Sequence, residues 1–152
     1  MIYRLIIFTL LNFGALAIGS LFTSKGVASE WYQNLNKAPW TPPGWSFGLA
    51  WTTIMICFSI YMAYLWPLKE NKSLIVGLFA VQWLLNVSWN PTFFYFHNSP
   101  LGLLIIVALT LLIGYIGLLY YNQMGLKSLL ILPYALWLII ASSLNAYIVL
   151  KN

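Results

Sequence analysis

Five apolar stretches of about twenty residues follow one another along the chain, at residues 2–22, 46–66, 73–94, 101–121 and 128–150. Each is near the ~20 residues that a helix needs to cross the hydrocarbon core of a bilayer. In hydrocarbon an open chain can satisfy its backbone groups only as a helix. The period-2 alternation of a membrane barrel is absent. The pattern predicts an all-α membrane protein, a bundle of five transmembrane helices, forming a single domain over residues 1–152.

The breaks between stretches carry physical punctuation. Residues 67–72 (PLKENK) read as a tight charged turn. Residues 97–100 (HNSP) read as another, with Pro100 placed to start a helix. Residues 122–127 (NQMGLK) form the last. Such short turns predict antiparallel neighbours. The connection over residues 23–45 is long, and connections beyond ~12–15 residues are usually functional or disordered.

Residues 31–51, WYQNLNKAPWTPPGWSFGLAW, argue for the first of these. They hold four of the eight tryptophans, three of the seven prolines and Lys37. Each proline fixes φ and removes a backbone donor, so the segment is too rigid for a spacer and too aromatic for a solvated loop. A structured lid leading into the second span is expected.

Composition narrows the setting. The 152 residues are 62% hydrophobic and 6% charged, against roughly 25% charged in a soluble domain. Residues 1–22 imitate a signal peptide, with Arg4, an apolar core and an Ala15-Leu16-Ala17 site. The apolar run continues past that site, so a retained first span is expected. The net charge of +5 rests on seven scattered Lys and Arg, with no basic run for nucleic acid. Arg4, Lys69, Lys72 and Lys127 gather at one membrane face and Lys25, Lys37 and Lys151 at the other, which leaves orientation open.

Polar side chains within a membrane usually face the bundle interior or a cavity. In the third span Gln82, Asn86 and Asn90 recur at i+4 and form one stripe, with Trp89 and Phe93 along the same side. In the fifth span Trp137, Ala141, Ser142 and Asn145 lie on about one face. Chain topology puts the lid, the start of span two and the ends of spans three and five at the same membrane face. The amides, the deep tryptophans and the lid therefore converge in one half of the bundle. A pocket with aromatic walls and a few amides suits a flat, largely apolar ligand. The amides are equally suited to interhelical hydrogen bonds, and both roles stay open. Trp45 and Trp66 sit at span ends as belt residues. Pro91 and Pro133 are expected to kink their helices. Span four, nearly all Leu, Ile, Val and Gly, reads as scaffold facing lipid and neighbours. Ala15 with Gly19, and Ser142 with Ala146, have the spacing of close helix packing, either within the bundle or across a dimer.

Catalytic groupings are nearly absent. The acids are Glu30 and Glu70, both outside the spans, and there is no Asp, so no carboxylate pair or Ser-His-Asp triad can form in the bundle. His97 is the sole histidine and Cys57 the sole cysteine, which predicts neither a metal site nor a disulfide.

Four stretches together resemble one family: WYQNLNKAPWTPP before span two, Trp51 within it, QWLLNVSWNPTFF in span three and PYALWLIIASSLN in span five. The chain resembles the TspO/MBR family, the tryptophan-rich sensory and translocator proteins, over nearly its whole length. Where the family often reads K-P-x-W, this chain has Lys37-Ala38-Pro39-Trp40. The resemblance implies a five-helix bundle with a pocket under the first loop, in a bacterial cell membrane, and a homodimer. It implies binding of porphyrins, notably protoporphyrin IX, and of benzodiazepine- and isoquinoline-type ligands, with no cofactor beyond the porphyrin itself. By motif, Tyr32, Pro42, Trp51, Asn86, Trp137 and Asn145 should touch ligand. The alternative it implies is light-dependent protoporphyrin IX degradation, in which Trp51 and Trp137 would be the reactive indoles.

Overall fold

A computed structural model describes residues 1–68 and 72–152. It contains five long helices: α1 (Ile2–Val27), α3 (Gly44–Leu65), α4 (Lys72–Asn90), α5 (Ser99–Met124) and α6 (Leu132–Lys151), with a short α2 (Glu30–Asn34) in the first connection. Four continuous helical stretches are long and apolar enough to cross a membrane, and the last, Ser99–Lys151, runs for 53 residues. As one straight helix it would extend ~80 Å at ~1.5 Å per residue, far beyond a ~30 Å core. It is two passes, α5 and α6, packed against each other. The chain reverses at Gly125, whose φ of +52° is open to glycine at little cost. The bundle thus crosses the membrane five times, as the apolar pattern predicts.

The helices close a ring in the order α1, α3, α6, α5, α4 and back to α1. The interior is aromatic and branched aliphatic: Phe58, Tyr61, Tyr120, Tyr134, Ile54, Ile113 and Leu138 are fully enclosed. Polar side chains pin the ring. Asn12 on α1 donates to Ser59 Oγ on α3 at 2.9 Å, and Trp83 Nε1 on α4 donates to the Leu11 carbonyl of α1 at 2.9 Å. Ala15 and Gly19 are both buried. An ideal Cβ on Gly19 would lie 2.6 Å from Asn90 Nδ2, so this small-residue pair serves packing inside the bundle.

Several boundaries differ from the sequence expectation. The first helix runs on to Val27, with the Ser24 hydroxyl returned to the Ser20 carbonyl. The fifth span begins with a tight 3₁₀ segment, Gly125–Ile131, before α6 starts at Leu132. Pro133 therefore lies in the first turn of α6, where its missing N–H has no partner to lose, and it starts the helix where a kink was expected. Trp66, expected in the interfacial belt, is half-buried, with its ring 6.0 Å from Phe8 and under Lys72 Nζ. Trp45 is exposed, as a belt residue should be. Lys69, Glu70 and Asn71 of the expected charged turn lie outside the described residues.

Candidate functional site

The lid begins where α1 ends. Ser29 caps α2, accepting from the Tyr32 N–H at 3.3 Å, which satisfies one of the free donors at the helix start. This short helix points Trp31 and Tyr32 at Phe93 and Phe94. Trp31 meets Phe93 edge-on at 5.4 Å, and Tyr32 meets Phe94 at 5.6 Å. Trp31 also stacks on His97, 4.3 Å between centroids and 15° between planes. His97 is thus part of the lid's seating, held in a left-handed conformation at φ +52°.

Further along, the backbone N–H of Asn36 donates to Asn152 Oδ1 at 2.8 Å, and Asn152 Nδ2 donates back to the Asn36 carbonyl at 3.3 Å. Trp40 Nε1 donates to Ser143 Oγ at 3.1 Å and its ring meets Tyr147. The first connection is therefore ordered and fastened to α6 at two places.

Beneath the lid, Pro91 shapes the end of α4. It has no N–H to continue the ladder, and the chain widens into a π turn, Pro91–Tyr95, closed by the Phe96 N–H on the Pro91 carbonyl at 2.9 Å. Such turns recur at functional sites. Here the turn buries Thr92, Phe93 and Phe94 in succession, which the apolar pattern alone does not reveal.

The amide stripe is fully engaged. Asn86 Nδ2 donates to the Tyr134 hydroxyl at 2.7 Å, and that hydroxyl donates to Gln82 Oε1 at 3.1 Å. Trp89 Nε1 donates to Asn145 Oδ1 at 3.1 Å, and Asn145 Nδ2 donates to the Ser99 carbonyl at 3.0 Å. Asn90 Oδ1 accepts from Thr23 Oγ1 at 2.8 Å. Among the described residues no buried side-chain polar atom lacks a partner. Between these groups lies a cavity of about 10 Å³ lined by Trp51, Asn86, Trp89, Asn90, Ile106, Leu109 and Leu138. That is about one water's worth of free space, so the site is closed in this conformation.

Of the candidate residues, Trp51, Asn86, Trp89 and Asn90 meet at the cavity, Gln82 joins them through Tyr134, and Phe93 and Asn145 each contact Trp89, by ring stacking and by a hydrogen bond. Tyr32 stands one layer higher, in the lid. Ser142 is turned to α5, where its Oγ lies 3.1 Å from Thr110 Oγ1. Ala141 packs against the core, and Pro42 is half-buried at the end of the lid. Trp137 is not beside Trp51. It lies across the α3–α6 wall, edge-on to Phe47 at 5.2 Å. Successive α6 residues diverge by ~100°, so Leu138 takes the inner position and Trp137 an outer one.

Tyr134 is the hub that sequence reasoning passed over; the signal was a phenol inside an apolar span. Ile106 and Leu109 place span four, read as scaffold, in the cavity wall.

Burial raises the Tyr32 phenol above its ordinary value of 10.0. A phenol with a higher pKa folded than unfolded favours the seated lid fully below about pH 10 and loses that contribution as pH rises through the folded value. The alkaline difference spectrum between the wild type and Tyr32→Phe should show a phenol titrating above pH ~10. One titrating at or below that pH would mean that Tyr32 is open to water.

Five membrane passes around a closed aromatic and amide centre, under a fastened tryptophan-bearing loop, define a multi-pass, receptor-like membrane protein. The comparisons with known proteins give the family. The chain belongs to the TspO/MBR family, whose profile matches residues 6–150. It is 36% identical over 132 residues to protein CrtK of Rhodobacter capsulatus, covering 85% of this chain and 80% of that one. It is 36% identical over 135 residues to the tryptophan-rich protein TspO of Archaeoglobus fulgidus, covering 88% and 87%. It is also similar to the human translocator protein, 28% identical over 132 residues, covering 84% and 78%. The likeness to a bacterial protein of Rhodobacter capsulatus accords with residence in a bacterial cell membrane.

Proposed function

We propose that this protein binds porphyrins, protoporphyrin IX above all, together with benzodiazepine- and isoquinoline-type ligands, in the pocket under the first loop. Binding would serve tetrapyrrole sensing, sequestration or transport. The observation that carries the reading is the cavity itself. Two indoles, two amides and three aliphatic side chains line it, with no ionisable group, walls that would suit a flat apolar macrocycle once they part. Because the resting space is about 10 Å³, binding is coupled to opening, and affinity is reduced by the rarity of the open state. Tyr32, Pro42, Gln82, Phe93, Ala141, Ser142 and Asn145 would be reached as the lid and helices part. A homodimer and the absence of any further cofactor belong to the same proposal.

The test is protoporphyrin IX added in the dark to purified protein, followed by tryptophan fluorescence. Saturable quenching is expected; its absence would remove the tetrapyrrole reading.

The second reading is light-dependent breakdown of protoporphyrin IX, with the bound porphyrin as its own photosensitiser. Trp51 in the cavity lining favours it. Trp137 stands behind the wall, so the two indoles are expected to contribute unequally. Trp51→Phe should slow product formation under light by about tenfold while leaving dark binding within a factor of about three, since the apolar wall is kept and the easily oxidised indole lost. Trp137→Phe should slow it less. Undiminished turnover in both variants would rule out the tryptophan mechanism.

A further inference from the structure

A second concavity lies outside the same two helices that wall the cavity. It is a groove of about 220 Å³ lined by Ala50, Thr53, Ile54, Pro133, Leu136, Trp137 and Ile140. Leu136 and Ile140 are exposed, so the groove is continuous with the lipid-facing surface. Its one lining hydroxyl, on Thr53, is spent on the Leu49 carbonyl at 2.9 Å, which leaves apolar walls.

Groove and cavity share the same short stretches of sequence. On α3, Trp51 faces the cavity while Ala50 and Thr53 face the groove, with the enclosed Ile54 at its floor. On α6, Leu138 faces the cavity while Leu136, Trp137 and Ile140 face the groove. Neighbouring residues of both helices thus divide between the two spaces.

The seam between α3 and α6 also differs from the others in how it is fastened. Thr110 with Ser142, and Asn145 with the Ser99 carbonyl, tie α5 to α6. Tyr134 and Trp89 tie α4 to α6. Asn12 with Ser59 ties α1 to α3. Among the described residues no hydrogen bond is seen between α3 and α6, and these two touch more sparsely than the other adjacent pairs of the ring. Parting them breaks no hydrogen bond, only apolar packing that includes the edge-on ring pairs Phe47–Trp137, Trp51–Tyr134 and Phe58–Tyr134, and lipid chains can replace apolar packing. Opening the lid instead breaks the Asn36–Asn152 clasp, the Trp40–Ser143 bond and the Trp31–His97 stack.

We infer that the α3–α6 groove is the membrane-side entrance to the cavity, through which a flat apolar ligand dissolved in the bilayer passes with Trp137 as the gate. The occupant is the ligand of the proposed function, so the inference rests on that reading. Trp137 then serves passage, which accounts for an indole at the groove and not at the cavity.

The test uses protein in phospholipid vesicles, in the dark, with protoporphyrin IX as probe and stopped-flow tryptophan quenching as readout. Cys57→Ala is the common background. Ala50→Phe and Thr53→Phe fill the groove from α3 without touching the cavity. Asn36→Cys with Asn152→Cys, oxidised, locks the lid, and its reduced form is the control.

Groove-filled variants are expected to bind and release about tenfold more slowly. Their equilibrium affinity should be unchanged, because entry and exit share one route. The unchanged affinity also reports an intact fold. The oxidised lid variant should keep wild-type rates. Wild-type rates in both groove-filled variants, or slowing confined to the oxidised lid variant, would overturn the entrance while leaving the binding reading in place. Absence of saturable quenching in the wild type would remove the binding reading and the entrance with it.

Discussion

Tyr134→Phe is expected to destabilise the bundle by about 1–3 kcal/mol and, at the same time, to tighten protoporphyrin IX binding by about threefold to tenfold. The hydroxyl holds two buried amides, Asn86 at 2.7 Å and Gln82 at 3.1 Å. Interhelical hydrogen bonds in membranes average ~0.6 kcal/mol and reach ~1.7, while a buried amide left unpaired costs ~1–3 kcal/mol. The ring contacts persist in phenylalanine, 6.0 Å to Trp51 and 5.3 Å to Phe58, so the change isolates the hydroxyl. If the amides are ligand contacts, the ligand must at present compete with Tyr134 for them, and removing the competitor helps it. Thermal unfolding in detergent and equilibrium quenching on the same sample measure both effects. Lower stability with weaker binding would instead assign Gln82 and Asn86 to holding helices together.

Gly26→Ala is expected to unseat the lid and lower stability by about 1–3 kcal/mol, the usual range for overfilling a packed site. An ideal Cβ at Gly26 falls 2.5 Å from both Cβ and Cγ of Phe94. Those atoms are close to the backbone of the π turn and cannot swing aside. Either α1 or the turn must move, and with them the Tyr32–Phe94 contact at 5.6 Å. Gly14→Ala is the control: its Cβ would meet nothing within 4 Å, and the helix gains intrinsic propensity. Thermal midpoints and protease cleavage within residues 28–43 read the two outcomes. An unchanged midpoint and unchanged cleavage for Gly26→Ala would show that the packing of α1 against the turn does not hold the lid.

Much of the site was legible because its signals are local. The i+4 spacing of Gln82, Asn86 and Asn90 puts them on one helix face whatever the neighbours do, and chain reversal puts lid and stripe at one membrane face. The i+4 rule fails to say which neighbour each amide meets. Asn90 turns to Thr23 of α1, whereas Asn86 and Gln82 turn to Tyr134 of α6. Trp137 falls outside the lining of the closed cavity for a related reason. On a helix that is apolar all round, periodicity does not separate the interior face from the lipid face.

The sequence by itself determined the number of membrane passes, the order in the lid and the concentration of amides and indoles in one half of the bundle. Span length, proline rigidity and the cost of polar groups in hydrocarbon are properties of segments. The tertiary structure alone decided that the amides are satisfied by hydroxyl, indole and carbonyl partners, that the cavity is shut, and that, among the described residues, α3 and α6 meet along a seam without hydrogen bonds. Those outcomes depend on how five similar apolar helices rotate and pair. In lipid that is set by side-chain fit and a few polar bonds, quantities that exist only between helices.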